Sequence, residues 1–352
     1  MDKETYLTGT LEIRHGENTI TLRRTRREDI PAISDAIYQE YGTTYYKDFV
    51  YDAEKLYAYL SGEGRFSAVA ELNGELAGHL GTWEEKQFPG IWEMGMGVVF
   101  RQFRGHNILA YLGKYLSAYN IDVSKARGIM GHNVLSHSIS QKQSEQGGMV
   151  VNGFTLNFVP SDILISTFTR HKGHETANEK SSYCYHYVNL IPDTKEKTVY
   201  LADEVTDCVQ HIYNTQKLKR VCTSCGVAAP AEKSTLACDI NTRFGYAAIQ
   251  VPVIGSDFAK KCGKALTSMK EKNITTVDLS FSADSPEALF AYEEAKKAGF
   301  FFSALFPNTE RGDIVVMENL SSGVAYENLE LTENAQILLD KIRCLMPDSP
   351  VT

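Results

Sequence analysis

The sequence predicts an α+β protein, with a mixed central sheet flanked by helices and laid down as two tandem halves. Three observations carry that expectation. Short strand-like runs are interleaved with helical runs along the chain. The stretch VVFRQFRGHNILAYLGKYL (98–116) joins an apolar strand to an amphipathic helix through a short turn rich in Arg and Gly. The second half repeats the coarse β-α-β-α-β-β order of the first, without any tight sequence repeat. The 352 residues suffice for two domains of ordinary size, placed at 1–192 and 193–352.

In the first half, TITLRR (19–24) alternates and reads as a strand. TRREDIPAISDAIYQEYG (25–42) reads as a helix. Thr25 with Glu28 offers a capping box, or Asp29 caps with Pro31 in the first turn, and Gly42 is a natural stop. Residues 52–61 form a second short helix. RFSAVAEL (65–72) and ELAGHLGTW (75–83) flank Asn73-Gly74, which supplies the positive φ angles of a tight hairpin. IWEMGMGVVF (91–100) is the next strand. In the helix after the turn, Ile108, Leu109, Leu112, Tyr115, Leu116 and Tyr119 keep the spacing of one buried face. ARGIMGH (126–132) is a strand, 134–146 a helix, and 149–159 and 181–190 are strands.

IPDTKEKTVYL (191–201) is polar and reads as a connecting arm. Beyond it the pattern gives a helix at 203–216, strands near 234–240 and 244–253, and a helix at 256–272. A strand at 275–281, a helix at 285–298, strands at 300–306 and 313–320 around a turn at 308–312, and a tail helix near 332–345 follow.

Composition narrows the function. Hydrophobic residues are 43% and charged residues 23%, a soluble globular profile. The net charge of −8 argues against nucleic-acid binding, which needs a basic face. The one basic cluster, Arg23, Arg24, Arg26 and Arg27, reads as a solvated strand end beside Glu28 and Asp29. No basic segment followed by an apolar run opens the chain, and no apolar stretch is long enough to span a membrane. Seven scattered cysteines fit free thiols in a reduced, cytoplasmic protein. Cys222-x-x-Cys225 stands without a second ligand pair, so no metal is expected.

The turn at 104–107 is the most informative stretch. A helix N-terminus offers unpaired N–H groups and the positive end of the helix dipole, both of which favour a phosphate. Gly105 lets backbone approach closely and Arg104 adds charge.

EMGMGVVFRQFRGHNIL resembles the acetyl-CoA loop of the GCN5-related N-acetyltransferases, the GNAT superfamily, which typically reads Val-x-Pro-x-x-Arg-Gly-x-Gly-x-Gly/Ala. Val99 takes the Val place and Arg104-Gly105 the Arg-Gly place. Asn107 and Leu109 stand where Gly, and Gly or Ala, are usual, and Arg101 replaces Pro. YGTTY (41–45), GELAGHL (74–80), WEMGMGVV (92–99) and HNVLSHSISQK (132–142) are similar to a two-half subgroup often linked to serine-kinase regulators. The resemblance implies acetyl-CoA, or another acyl-CoA, held between splayed central strands by Val98, Val99, Arg104, Gly105, His106, Asn107 and Ile108. Asn133 and Ser140 match the family's cofactor-side polar positions. In the second half VPVIGSDFAKKCGKAL lacks an Arg-Gly loop, so that half is expected to be degenerate and used for packing or acceptor binding.

Transfer to an amine needs a base and profits from an acid at the leaving thiolate. Glu93 is the base candidate. It stands on the strand before the turn, on the face of Val99 by period two, and matches the subgroup's strand Glu. Where the family places a Tyr acid, this chain has Ser144, suited to donating a hydrogen bond or ordering a water. His132 and His137 are the alternatives, since imidazole titrates near neutrality. Tyr41, Tyr45 and Tyr46 fall in the region that shapes the family's acceptor pocket. His79 reads as a strand residue with a satisfied nitrogen. The expected activity is N-acetyl transfer to a small-molecule amine or amino acid. An acyl-CoA sensor, a regulatory protein partner of a kinase, a protein acceptor and a longer acyl chain stay open.

Overall fold

A computed structural model describes residues 1–160, 180–192 and 195–347. The chain opens with α1 (Lys3–Thr8), capped by the Asp2 carboxylate, then β1 (Thr10–His15) and β2 (Asn18–Arg24). Neither α1 nor β1 is legible in the sequence. The helix is a turn and a half, and β1 is exposed along almost its whole length, so it carries no apolar alternation.

Helix α2 (Ile30–Tyr41) buries Ile30, Ile33, Ala36 and Ile37, and Gly42 ends it with φ 61°. Its expected cap is not made. The Asp29 carboxylate accepts the Arg26 N–H and grips the buried Arg23 guanidinium through both oxygens at 2.7 and 2.8 Å. Arg23 also reaches Glu71 on the neighbouring strand. The basic cluster is therefore not simply a solvated end: one of its members is a buried cross-link. Helix α3 (Ala53–Leu60) is capped by Asp52. β3 (Arg65–Leu72) and β4 (Glu75–Glu84) form the expected hairpin, with φ of 53° at Asn73 and 87° at Gly74. β5 (Ile91–Val99), α4 (Ile108–Asp122), β6 (Gly128–Val134), α5 (Ile139–Gln146), β7 (Val150–Val159) and β8 (Ser181–Asn189) complete the first run.

The expected connecting arm is partly a strand. β9 (Lys197–Tyr200) pairs in parallel with β10 (Arg220–Thr223), which pattern reading also missed, and α6 (Thr206–Thr215) links the two. Both strands are four residues long, too short for periodicity to register. Then follow β11 (Thr235–Asn241), β12 (Tyr246–Val253), α7 (Phe258–Glu271), β13 (Thr276–Ser282), α8 (Glu287–Lys297), β14 (Phe301–Thr309), β15 (Gly312–Leu320) and α9 (Glu333–Arg343).

Among the described residues, thirteen strands make one mixed sheet, ordered β1-β2-β3-β4-β5-β6-β8-β7-β14-β15-β13-β12-β11. Over five strands on each side, the order is symmetric about the β7–β14 seam. Outward on one side run β7, β8, β6, β5 and β4, and on the other β14, β15, β13, β12 and β11, with the same parallel pair, β5–β6 and β12–β13, in each. The topological echo in the sequence is thus an echo of strand order. The seam is tight. Ala304 pairs with Gly153, where a Cβ would lie 2.3 Å from both the Ala304 Cβ and the Ser303 carbonyl oxygen. Apolar layers cover both faces: α1 and α4 pack on one face of the first run, and α2 and α3 on the other. Residues of α9 share the largest apolar cluster with Val151, Phe154 and Leu156 of β7.

Candidate active site

Strands β5 and β6 part after three residues. Ile91, Trp92 and Glu93 pair with Gly128, Ile129 and Met130, and no β6 partner follows for Met94 to Val99. A cavity of about 1190 Å³ opens from this parting. It exceeds the roughly 300–1,000 Å³ of an ordinary small-ligand pocket, leaving room for a long ligand and a second reactant. In the second run the corresponding pair stays closed, with β12 and β13 paired at six positions from Tyr246↔Thr276 to Val251↔Phe281.

A bulge in β5 reshapes the parting strand. Across from it, His79 to Gly81 spans two residues while Val98 to Gly95 spans three. Met96 takes φ 55°, and its carbonyl accepts a hydrogen bond from His79 Nδ1 at 3.0 Å. His79 is therefore half satisfied: its buried Nε2 has no partner among the described residues, and burial holds the ring neutral, with a pKa pushed down to about 4. The extra residue also breaks the period of two. Trp83, Met96 and Val98 belong to the α2–α3 side, while Trp92 and Val99 belong to the α4 side. Glu93, opposite Trp83, therefore shares a face with Val98 and not with Val99.

The turn before α4 forms an open cradle. Gly105 has φ 89°, and a Cβ there would meet nothing within 4 Å. Asn107 takes the left-handed conformation, φ 56° and ψ 25°, in place of the usual glycine. Among the described residues, the amides of Gly105 to Leu109 donate no hydrogen bond, and the first helical amide to do so is that of Ala110, to Asn107. Arg104 lines the cavity and is held by Glu40 at 2.7 Å. Leu109 leans onto β5, with Cδ2 3.2 Å from where Gly97 would carry a Cβ, so it walls the cavity instead of crossing the open amides. Val98, Val99, Arg104, Gly105, Asn107, Asn133 and Ser140 all line the space. His106 and Ile108 do not. The Ile108 side chain is buried in the α4 core, because it starts that helix's apolar face. These donors fit a diphosphate-bearing coenzyme: five open amides, a cation and a close-approach glycine at the mouth of a long cavity.

Glu93 stands where the strands separate. Its Oε2 accepts the Trp83 indole N–H at 2.9 Å. Burial raises its pKa to about 7; Glu85 adds to the shift, while Lys47 and the Trp83 hydrogen bond oppose it. The Lys47 ammonium lies 4.1 Å from the Trp83 ring centroid and donates to the Tyr59 hydroxyl at 3.2 Å. Lys47, Trp83 and Glu85 were not singled out from the sequence. They carry no motif, and β-sheet register and a loop bring them to Glu93.

Ser144 is oriented from behind. The Asn133 amide donates to Ser144 Oγ at 2.8 Å and to His186 Nδ1 at 2.9 Å. His186 is buried with its pKa lowered to about 4, and its Nε2 faces Glu145 Oε1 at 3.6 Å. Thr332 and Asn334, at the start of α9, donate to Glu145, so the far end of the chain braces the helix that carries Ser144. His132 lines the cavity but stacks on Tyr185 at 4.3 Å, and burial lowers its pKa to about 3, which removes it as an acid near neutrality. His137 lines the cavity just before α5, where its Nδ1 accepts the Ile139 N–H at 3.3 Å.

Tyr41, Tyr45 and Tyr46 form a ring ladder with centroids 4.8 Å apart, and all three line the cavity. Tyr46 continues to Phe244 at 6.4 Å, and Asp239 and Tyr246 of the second run complete this wall. Among the described residues, no group of three or more His, Cys, Asp or Glu could hold a metal ion, and the seven cysteines are free thiols.

No family model and no curated protein sequence matches the chain. Solved structures do. An N-acetyltransferase from Staphylococcus aureus Mu50 is 17% identical over 49% of this chain and 99% of its own, with a TM-score of 0.38. Mutant forms of the spermidine/spermine N-acetyltransferase SpeG from Vibrio cholerae are 14% identical over 48% of this chain and 93% of their own, TM-score 0.38. yncA from Salmonella typhimurium, assigned as an acetyltransferase and solved with its cofactor acetyl-CoA, is 14% identical over 50% of this chain and 96% of its own, TM-score 0.39. These three solved structures similar to this chain are acetyltransferases. Each acetyltransferase covers about half of it. The arrangement expected from the GNAT resemblance, a central strand pair that splays ahead of a turn and a helix, is present once among the described residues, at β5–β6 and α4. No helix among the described residues is long and apolar enough to cross a membrane.

Proposed function

We propose that this protein is an acyl-CoA-dependent N-acyltransferase that carries acetyl from acetyl-CoA to the amine of a small molecule or amino acid. The observation that carries the reading is one cavity lined both by the turn with open amides before α4 and by the Glu93 carboxylate, hydrogen-bonded to Trp83. The residues that would hold the coenzyme are Arg104 and the amides of 105–109 at its phosphates, with Ala110, Gly113, Ser140 and the edge of β5 along its length. The coenzyme supplies an acetyl group activated as a thioester. Glu93, with a pKa near neutrality, takes the proton from the acceptor amine. Ser144, fixed by Asn133, offers its hydroxyl to the leaving sulfur. The tyrosine ladder and the wall from Asp239 and Tyr246 bound the acceptor and exclude water.

A catalytically silent acyl-CoA sensor is the second reading. Ser144 in place of a phenol, and the pairing of Arg104 with Glu40, favour it.

Thermal unfolding with acetyl-CoA and with free CoA tests the binding step. A ligand at about 100 times its dissociation constant stabilises the folded state by roughly 2.7 kcal/mol. A shift with both ligands, reduced in Arg104→Ala, supports the cradle, and thiol release with an amine panel then tests transfer. No shift at millimolar coenzyme overturns both readings; a shift without transfer to any amine leaves the sensor.

A further inference from the structure

We propose that Lys47 is a self-acetylation site, its side-chain amine taking acetyl from acetyl-CoA bound in the same cavity. The inference rests on the acyltransferase reading and names one acceptor for it, an amine of the chain itself.

Three features set Lys47 apart. It lines the cavity together with Glu85 and Glu93, so its Nζ stands where an acceptor amine would enter. Aromatic groups surround the Nζ: the Trp83 ring centroid at 4.1 Å, those of Tyr46 and Tyr59 at 5.1 Å, and the Tyr59 hydroxyl at 3.2 Å. Among the described residues Lys47 forms no ion pair, whereas Lys55, eight positions on, is exposed and pairs with Asp52 at 3.3 Å. Trp83 ties the amine to the base, since the same indole lies over Nζ and donates to Glu93.

Burial favours the neutral amine. The charged and titratable groups facing it are Glu93, Glu85, Arg65, Tyr46, Tyr59 and His132. Desolvation and Arg65 lower the Lys47 pKa while the two carboxylates oppose them, with a net lowering. An amine whose charged form is disfavoured by burial, in the same cavity as a carboxylate that titrates near 7, is the pairing that attack on a thioester requires.

The step balances. The Lys47 ammonium first loses one proton, relayed through cavity water to Glu93, and the Nζ lone pair of the resulting amine attacks the thioester carbonyl carbon. The C–N bond forms, the C–S bond breaks, and the electron pair leaves on sulfur. The nitrogen's surplus proton ends on that sulfur, giving the free thiol of CoA and an acetamide on Lys47. No oxidant or further reactant is needed. The acetylated side chain would lie in the acceptor end of the cavity, where it also limits transfer to other amines.

The test incubates the purified full-length protein with acetyl-CoA and follows the Lys47 and Lys55 peptides by mass spectrometry. Lys47 is expected to gain one acetyl group well ahead of Lys55, and Glu93→Gln is expected to slow the gain by about 100-fold. In Lys47→Arg the peptide stays unmodified. Thermal unfolding checks that both variants fold. A second readout needs no coenzyme: the pH profile of acetic anhydride labelling is expected to have a lower midpoint at Lys47 than at Lys55. Equal acetylation of both lysines, or none at Lys47 in protein that binds the coenzyme and acetylates added amines, overturns this inference alone. Absence of coenzyme binding overturns it together with the proposed function.

Discussion

Trp83 and Glu93 face each other directly across β4 and β5, and the indole N–H of one donates to the carboxylate of the other at 2.9 Å. The pairing fixes the carboxylate at the point where β5 and β6 separate, and it opposes the rise in pKa that burial causes.

Acetyl transfer should therefore follow the ionisation of Glu93. A base must be unprotonated to act, so the rate rises with pH through about 7. Glu93→Gln lowers kcat by about 100-fold or more and removes that limb. Trp83→Phe deletes a hydrogen bond that favours the charged form, so the limb moves to higher pH. A pH–rate profile of the three proteins reads all of this, and an unmoved limb in both variants would remove Glu93 from the base role.

The same group makes stability depend on pH. Its folded pKa is raised from 4.5 to about 7, so between those values the folded state holds more protons than the unfolded chain. This contribution is full at the acid end and is lost as pH rises through about 7. In Glu93→Gln it is absent, so the fall in Tm between pH 5 and pH 8, measured by calorimetry, should be smaller than in the wild type.

Arg104 and Gly105 should act on coenzyme affinity by different routes. Arg104→Ala removes a charge-assisted donor, which is worth about 1.5–3 kcal/mol, or tenfold or more in Kd. Gly105→Ala places a Cβ at φ 89°, a strain of roughly 1–2 kcal/mol that disturbs the open amides without changing charge. Calorimetric titration at two salt concentrations separates them: the salt dependence of binding should weaken in Arg104→Ala and persist in Gly105→Ala.

One coenzyme should bind per chain. β12 and β13 remain paired over six positions, where β5 and β6 pair over three, so the second run has no opening at the matching place. A titration that saturates at two equivalents would contradict this.

Asn133 should matter to stability as well as to rate. It donates both amide hydrogens, to the half-buried Ser144 and to the fully buried His186. Asn133→Leu leaves the buried His186 Nδ1 with only the weak Cys184 Sγ contact at 3.4 Å, at a cost of about 1–3 kcal/mol. Denaturant unfolding reads the loss, and Ser144→Ala, which spares His186, should show much less of it.

Much of the fold was legible because its signals are local. Apolar alternation marked β2, short strand-like runs marked β3 to β8, Asn73-Gly74 marked the hairpin, and the α4 stripe from Ile108 to Tyr119 marked a buried face. The missed elements lack such signals: β1 is exposed, and β9 and β10 are four residues each. The assignment of Glu93 to the face of Val99 failed at Met96, where one bulged residue reverses the alternation.

The sequence by itself determined most of the strands and helices, the Arg-Gly turn ahead of α4, and the carboxylate at 93, because each depends on neighbours close in the chain. Only the tertiary structure decided the site. Whether β5 and β6 part or stay paired is a property of the sheet, and the β12–β13 pair, in the same place of the second run, stays closed. Lys47, Trp83, Glu85, Asp239 and Tyr246 meet around Glu93 by sheet register and by the docking of two strand runs. Burial at that meeting point, set by residues far apart in the chain, is what moves the Glu93 pKa from its ordinary value toward neutrality.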